Sequence, residues 1–209
     1  MASPQFNKAI RLFENEVYRI YKKHEESFDI ESFHGRFHII RCLILADCLY
    51  RYYETKSIEL DIDKSFYAIL FHDAMREDNG RDYWEHDSSV LCYKYLMSVG
   101  YDNDFAFSTA KIILKDNDKC LEEQILYDVD VLDYNRFLYL PEELKRFKNH
   151  KVKFAGHYDI SGCYDIEARD KITKLAQEMV MFSEQLSVES ETKHLVEQFI
   201  THYLKVKPW

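Results

Sequence analysis

A chain of 209 residues, 46% apolar and 31% charged, can bury a core of its own, which excludes a disordered polypeptide and leaves room for one domain. Its formal net charge of −9 works against non-specific binding to nucleic acid or an anionic membrane, since both need a positive surface. Five cysteines (Cys42, Cys48, Cys92, Cys120, Cys163) form an odd set with no CxxC pair, so neither a disulfide framework nor a zinc ribbon is expected.

Met1–Ile10 carries no apolar signal core, and no stretch reaches the roughly 18 apolar residues of a membrane span, so the expectation is a soluble, cytoplasmic protein. Only five glycines and three prolines punctuate the chain, which favours long helices over strands and tight turns. Ser3 and Pro4 suit an N-cap and first turn, after which Phe6, Ile10, Phe13, Val17, Ile20 and Tyr21 recur at helical spacing. A short polar stretch then leads into Phe33-His34-Gly35-Arg36-Phe37-His38, where Gly35 permits a sharp entry. From His38 onward Cys42, Leu45 and Leu49 share one face, so His38 heads the inward face of a second helix.

A third helix, capped by Asp61 or Asp63, carries Phe66, Ile69 and Leu70 and ends in His72-Asp73. A charged turn, Arg76 to Asp82, separates it from a fourth helix over 84–99, with Val90, Tyr93, Leu96 and Met97 on the apolar side and Gly100 at the C-cap. Asp102 or Asn103 opens a fifth, through Leu114. The sixth, over 121–132, turns Ile125, Leu126, Val129 and Leu132 inward, and of Asp128, Asp130 and Asp133 only one or two can face a single site. Residues 141–154 are basic (Lys145, Arg146, Lys148, Lys151, Lys153) and are expected to form a solvated face, or else a covering segment for an anionic substrate. Helices over 165–186 and 189–203 close the chain.

An ionised carboxylate at the end of a helix as apolar as Phe66–Phe71 costs several kcal/mol unless it meets a cation or strong donors, and a divalent metal is the simplest such cation. Histidines upstream (His34, His38) and aspartates downstream (Asp128, Asp130, Asp133) offer the rest of a nitrogen and oxygen ligand set.

The order His, His-Asp, Asp resembles the HD superfamily of metal-dependent phosphohydrolases, over about residues 34–133. His38-Ile39-Ile40-Arg41 is similar to the first motif, Ile69-Leu70-Phe71-His72-Asp73 to the second, and Asp128-Val129-Asp130-Val131-Leu132-Asp133 to the last. The stretch Arg76 to His86 is similar to bacterial members in which Arg, Asp and a further His follow the His-Asp motif. The resemblance implies an all-α fold: a single HD-like helical bundle over 1–209, with its motif core at about 30–135 and additional C-terminal helices from about 136. It implies His38, His72, Asp73 and Asp130 as metal ligands. Members with two metals add a histidine where Lys115 stands here, and a cation there would repel a second ion, so one divalent metal (Mn, Fe, Ni, Co, Zn or Mg) is expected.

The resemblance further implies hydrolysis of a small phosphate ester, a nucleotide or related phosphomonoester, by metal-activated water. No Gly-flanked serine elbow provides a covalent route. In that chemistry Asp73 or Asp130 orients water, His34 or His86 protonates the leaving group, and Arg41, Arg76, Arg81 and Lys115 hold phosphate oxygens. The rivals are an HD-fold iron oxygenase, which needs histidines beyond the basic four ligands, and a non-catalytic metal- or nucleotide-binding regulatory module. The sequence leaves the oligomeric state, including a homodimer, open.

Overall fold

The computed structural model describes residues 3–30, 32–80, 83–115, 120–135, 160–162 and 164–209, and among these the only regular secondary structure is helical. Arg81, Asp82 and the basic stretch within 141–154 lie outside the described residues. The helices are α1 (Pro4–Leu12), α2 (Tyr18–Ser27), α3 (Arg36–Thr55), α4 (Ile62–Phe71), α5 (Glu85–Ser98), α6 (Asn103–Leu114), α7 (Leu121–Tyr134), α8 (Ile166–Ser183) and α9 (Thr192–Val206), with a π-helical turn, Phe13–Val17, joining α1 to α2. No helix among the described residues is long and apolar enough to cross a membrane.

The π-turn follows from spacing. Phe13, Val17 and Tyr21 are all buried and each lies four residues from the next, a step that drifts about 40° around a regular α-helix. The wider winding between Phe13 and Val17 takes up that drift over the first step, and both residues are buried. Caps form where short polar side chains suggest them: Ser3 Oγ accepts from Phe6 N (3.1 Å), Asp102 from Phe105 N (2.8 Å) and Asp165 from Ala168 N (2.8 Å). Asp61 holds the N-cap position of α4 without a side-chain cap bond, and Gly100 adopts φ +94° just beyond α5, a conformation that a Cβ would oppose.

One continuous buried cluster runs from Phe6 to Tyr203, and α3 and α4 lie at its centre. From Phe37 to Leu49 every residue of α3 is buried, so the helix must also carry its polar residues inward. Each of them is matched. Arg36 pairs with Glu25 (2.7 Å), Arg41 with Asp133, and Asp47 with Ser3, Arg51 and Tyr203. The inward face of α5 meets expectation at Leu96, which is buried, and differs elsewhere: Ser88, Ser89 and Cys92 are also buried, whereas Met97 is 41% exposed and Val90 and Tyr93 only half-buried. Small residues let α5 lie close to its neighbours, and Ser88 Oγ accepts from Met75 N (3.1 Å) just beyond α4.

Gly35 matters for close approach rather than for its torsions (φ −87°, ψ −160°). A Cβ there would come within 3.0 Å of Ser32 Oγ and of Glu25 Oε1, and 2.8 Å from Glu25 Cγ. Those side chains cannot move aside cheaply, because Glu25 is buried and receives Ser32 Oγ (2.7 Å) and Arg36 N (2.7 Å). Gly35→Ala is expected to destabilise the protein by about 1–3 kcal/mol, the usual cost of overpacking. Urea denaturation checks this, and an unchanged midpoint would show the loop to be more compliant than its bonding indicates.

Candidate metal centre

Three segments deliver the site. The loop before α3 is tied down by Asp29, fully buried, whose two oxygens accept from Phe33 N (2.7 Å) and His34 N (2.9 Å). This places His34, while the first turn of α3 places His38. His72 and Asp73 follow directly on α4, and α7 contributes Asp130.

The four residues read as ligands come together. His38 Nε2 lies 3.1 Å from His72 Nε2, 3.6 Å from Asp73 Oδ2 and 3.6 Å from Asp130 Oδ1, and His72 Nε2 lies 3.3 Å from Asp73 Oδ2. Donor atoms about 2.0–2.2 Å from a common ion are about 3.0–3.5 Å apart at octahedral to tetrahedral angles, close to these separations. Second hydrogen bonds set the tautomers. His72 Nδ1–H donates to the Ile69 carbonyl (2.8 Å) and His38 Nδ1–H to Asp133 Oδ2 (2.7 Å), so both Nε2 lone pairs point inward at each other. Facing lone pairs beside two carboxylates require a proton or a cation between them. Two overlapping groups, His38 with His72 and Asp130 and His38 with His34 and Asp73, each lie close enough to hold a metal ion.

In the metal-free chain a proton takes that place. Burial opposes a charge on His72, but the Asp73 and Asp130 carboxylates together outweigh it and push the imidazole from 6.5 up to about 9. His38 moves the other way, because burial lowers it and Asp133 offsets only part. Burial would raise Asp73, yet His72 and His34 hold it well below the usual carboxylate range; Lys115 and His72 likewise lower Asp130 against its own desolvation.

A His72 raised in the folded state contributes stability fully present below about pH 6.5 and lost as the pH rises through about 9. A metal must expel the same proton, so apparent affinity is expected to climb about tenfold per pH unit from pH 6 to 8, with about one proton released per ion. Calorimetric titration with Mn2+ in buffers of different ionisation enthalpy measures both. Affinity independent of pH would remove His72 from the site.

His34 joins the cluster through Nδ1, 2.9 Å from Asp73 Oδ2, and its side chain keeps 18% exposure. Lys115 Nζ lies 3.1 Å from Glu85 Oε1 and 3.6 Å from Asp130 Oδ2, the pairing having no local sequence signal because Glu85 stands 30 positions away. Arg76 is buried, donating from Nε to Asp73 Oδ1 (2.9 Å) and from Nη1 to the carbonyls of Asp78 and Gly80 (3.3 Å each), contacts that orient Asp73 rather than reach towards a substrate. Arg41 is likewise buried and forked onto Asp133, which corrects its reading as a phosphate contact. The structure does not bring His86 into the group: its side chain is 78% exposed and its ring faces Asp87 (3.3 Å).

The three aspartates of α7 divide the work. Asp130 faces the histidines, and Asp133 supports His38. Asp128, fully buried, accepts from Ser161 N (2.6 Å), Gly162 N (3.0 Å) and Tyr164 Oη (2.7 Å), anchoring the chain ahead of α8. Set against protein-family models, curated proteins and solved structures, the chain finds no match in any of the three.

Proposed function

We propose that the chain is an HD-type metal-dependent phosphohydrolase that binds one divalent ion through His38, His72, Asp73 and Asp130 and acts on a small phosphate ester, a nucleotide or related phosphomonoester. The observation that carries this reading is the pair of inward Nε2 lone pairs, 3.1 Å apart, flanked by two carboxylates, with Lys115 beside one of them. A divalent ion held there supplies Lewis acidity towards the phosphoryl group and lowers the pKa of its water.

The protein's own residues account for the remaining requirements. The carboxylates Asp73, Asp130, Asp133, Glu85 and Glu184 meet the fixed cations Arg41, Arg76 and Lys115 among the described residues, an excess of two negative charges. Exchanging the His72 proton for a divalent ion therefore brings the neighbourhood to neutrality and leaves it able to accept an anionic ester. Asp73 is held on one oxygen by Arg76 and on the other by His34, so its orientation is fixed before substrate arrives. With Nδ1–H given to Asp73, His34 retains Nε2 to carry the proton delivered to the leaving oxygen. Lys115 is partly exposed and can exchange Glu85 for a phosphate oxygen.

Lys115 also adopts left-handed torsions (φ 53°, ψ 40°) as the C-cap of α6, a conformation glycine takes at lower cost. Lys115→Gly is therefore expected to leave stability unchanged or raised by up to about 1 kcal/mol, to keep the metal, and to lose about 1.5–3 kcal/mol of transition-state stabilisation. Full activity in this variant would remove Lys115 from substrate binding.

The direct experiment is a phosphomonoesterase and phosphodiesterase panel on protein loaded in turn with Mn, Fe, Ni, Co, Zn and Mg. Turnover with at least one ion, abolished by chelation, is expected. Silence across the panel with oxygen uptake by the iron-loaded protein would favour oxygenase chemistry, for which His34 offers a third nitrogen. Silence with retained metal and saturable nucleotide binding would make the chain a regulatory module.

A further inference from the structure

We propose that Asp133, clamped by Arg41, is a positioning residue that fixes the tautomer of His38 and thereby sets the affinity of the site for a divalent ion. The proposal rests on the foregoing reading only in that an ion binds; it requires no particular reaction. Asp133 has no exposed surface. Arg41 Nε donates to its Oδ1 and Arg41 Nη2 to its Oδ2 (3.0 Å), and Oδ2 also takes His38 Nδ1–H (2.7 Å). Arg41 is itself located from α8: Nη1 donates to Ser183 Oγ (3.0 Å), which donates to the Val180 carbonyl (2.7 Å). The carboxylate thus cannot rotate, and the His38 ring cannot turn without breaking a charge-assisted bond in a buried setting. Cys42 Sγ, 3.7 Å from Nδ1 and 3.8 Å from Nε2, packs against the same ring.

Two other roles are open to Asp133. His38, Cys42 and Asp133 themselves lie close enough to share an ion, but the Arg41 guanidinium already occupies both carboxylate oxygens and would repel a cation there. Asp133 could also serve only to neutralise Arg41. A buried ion pair can often be replaced by apolar residues of similar volume at little cost, whereas losing one partner strands the other charge, so the two roles separate experimentally.

The test compares Asp133→Leu with the double variant Arg41→Met/Asp133→Leu, reading thermal midpoint, Co2+ affinity by chelator competition, and the visible spectrum of the Co2+ form. The single variant should lose both stability and affinity. In the double variant the midpoint should return towards wild type while affinity stays about 10–100-fold weaker, the usual cost of losing a ligand's hydrogen-bond partner, with an altered Co2+ spectrum. Recovery of wild-type affinity together with stability would overturn the proposal and leave Asp133 as a counter-ion. Should the leucine variants not fold, Asp133→Asn keeps the shape while removing the charge, and is expected to weaken Co2+ binding by at least about tenfold; unchanged binding overturns the proposal. Wild-type protein that takes up no Co2+ overturns the site and this inference together, whereas tight Co2+ binding without any ester hydrolysis overturns only the phosphohydrolase reading.

Discussion

Asp73→Ala is expected to lose its metal almost completely, by more than about 100-fold in affinity, and to lose much of its stability as well. The first effect exceeds the 10–100-fold typical of losing a supporting partner, because Asp73 supplies a donor oxygen beside both imidazoles (3.3 and 3.6 Å). The second arises because Asp73, 2% exposed, is the carboxylate partner of the Arg76 Nε (2.9 Å) and of His34 (2.9 Å). Removing one member of a buried ion pair costs about 3–5 kcal/mol, since the guanidinium keeps its desolvation cost without the carboxylate charge opposite it. Asp73→Asn separates the two, retaining the shape while weakening the donor. Elemental analysis after dialysis, alongside urea denaturation, reads both effects. Full metal retention in either variant would remove Asp73 from the ligand set.

Asp47→Ala is the largest expected effect on stability that leaves the site alone. Its carboxylate is fully buried and accepts from Ser3 Oγ (2.6 Å), Tyr203 Oη (2.7 Å) and Arg51 Nε (3.0 Å), joining the start of the described chain, α3 and α9 at one point. Truncation removes the shared acceptor of two buried hydroxyls and of Arg51, so a loss of about 2–4 kcal/mol is expected, a large share of the 5–15 kcal/mol that holds an ordinary domain together. Asp47 stands nine residues from His38, about 13 Å along the helix, so metal affinity measured below the new melting point should stay at the wild-type value. A drop of less than about 1 kcal/mol would mean that water replaces the lost partner.

The parts of this fold legible in the sequence are those governed by period and capping. Phe6, Ile10, Phe13, Val17 and Tyr21 announce a helix through their spacing, and Ser3, Asp102 and Asp165 cap where short polar side chains precede apolar runs. On α5 the same logic places Leu96 correctly but not Met97, because the rest of its buried side is lined by Ser88, Ser89 and Cys92, which hydropathy counts as neutral and packing uses as small. The π-turn was hidden too, since only the neighbours of Phe13 and Val17 decide whether a four-residue spacing is taken up by winding or by drift.

At the site, His72-Asp73 stood out because a carboxylate cannot end so apolar a helix without compensation, and the structure gives it two partners, Arg76 and His34. What could not be read were contacts spanning long stretches of chain. Arg41 and Asp133 lie 92 positions apart, so nothing local showed that this arginine is consumed by a carboxylate rather than offered to a phosphate. His86 shows the converse: a histidine in a suggestive stretch can simply face solvent at the start of a helix, where one position along, Glu85, reaches Lys115.

Diffraction from a crystal grown with Mn2+, recorded where the ion scatters anomalously, tests the central claim most directly. The account predicts a single strong anomalous peak about 2.0–2.3 Å from Nε2 of His38, Nε2 of His72 and a carboxylate oxygen of each of Asp73 and Asp130, absent from crystals of Asp130→Ala. No peak among these four side chains, or one that survives in Asp130→Ala, would contradict it.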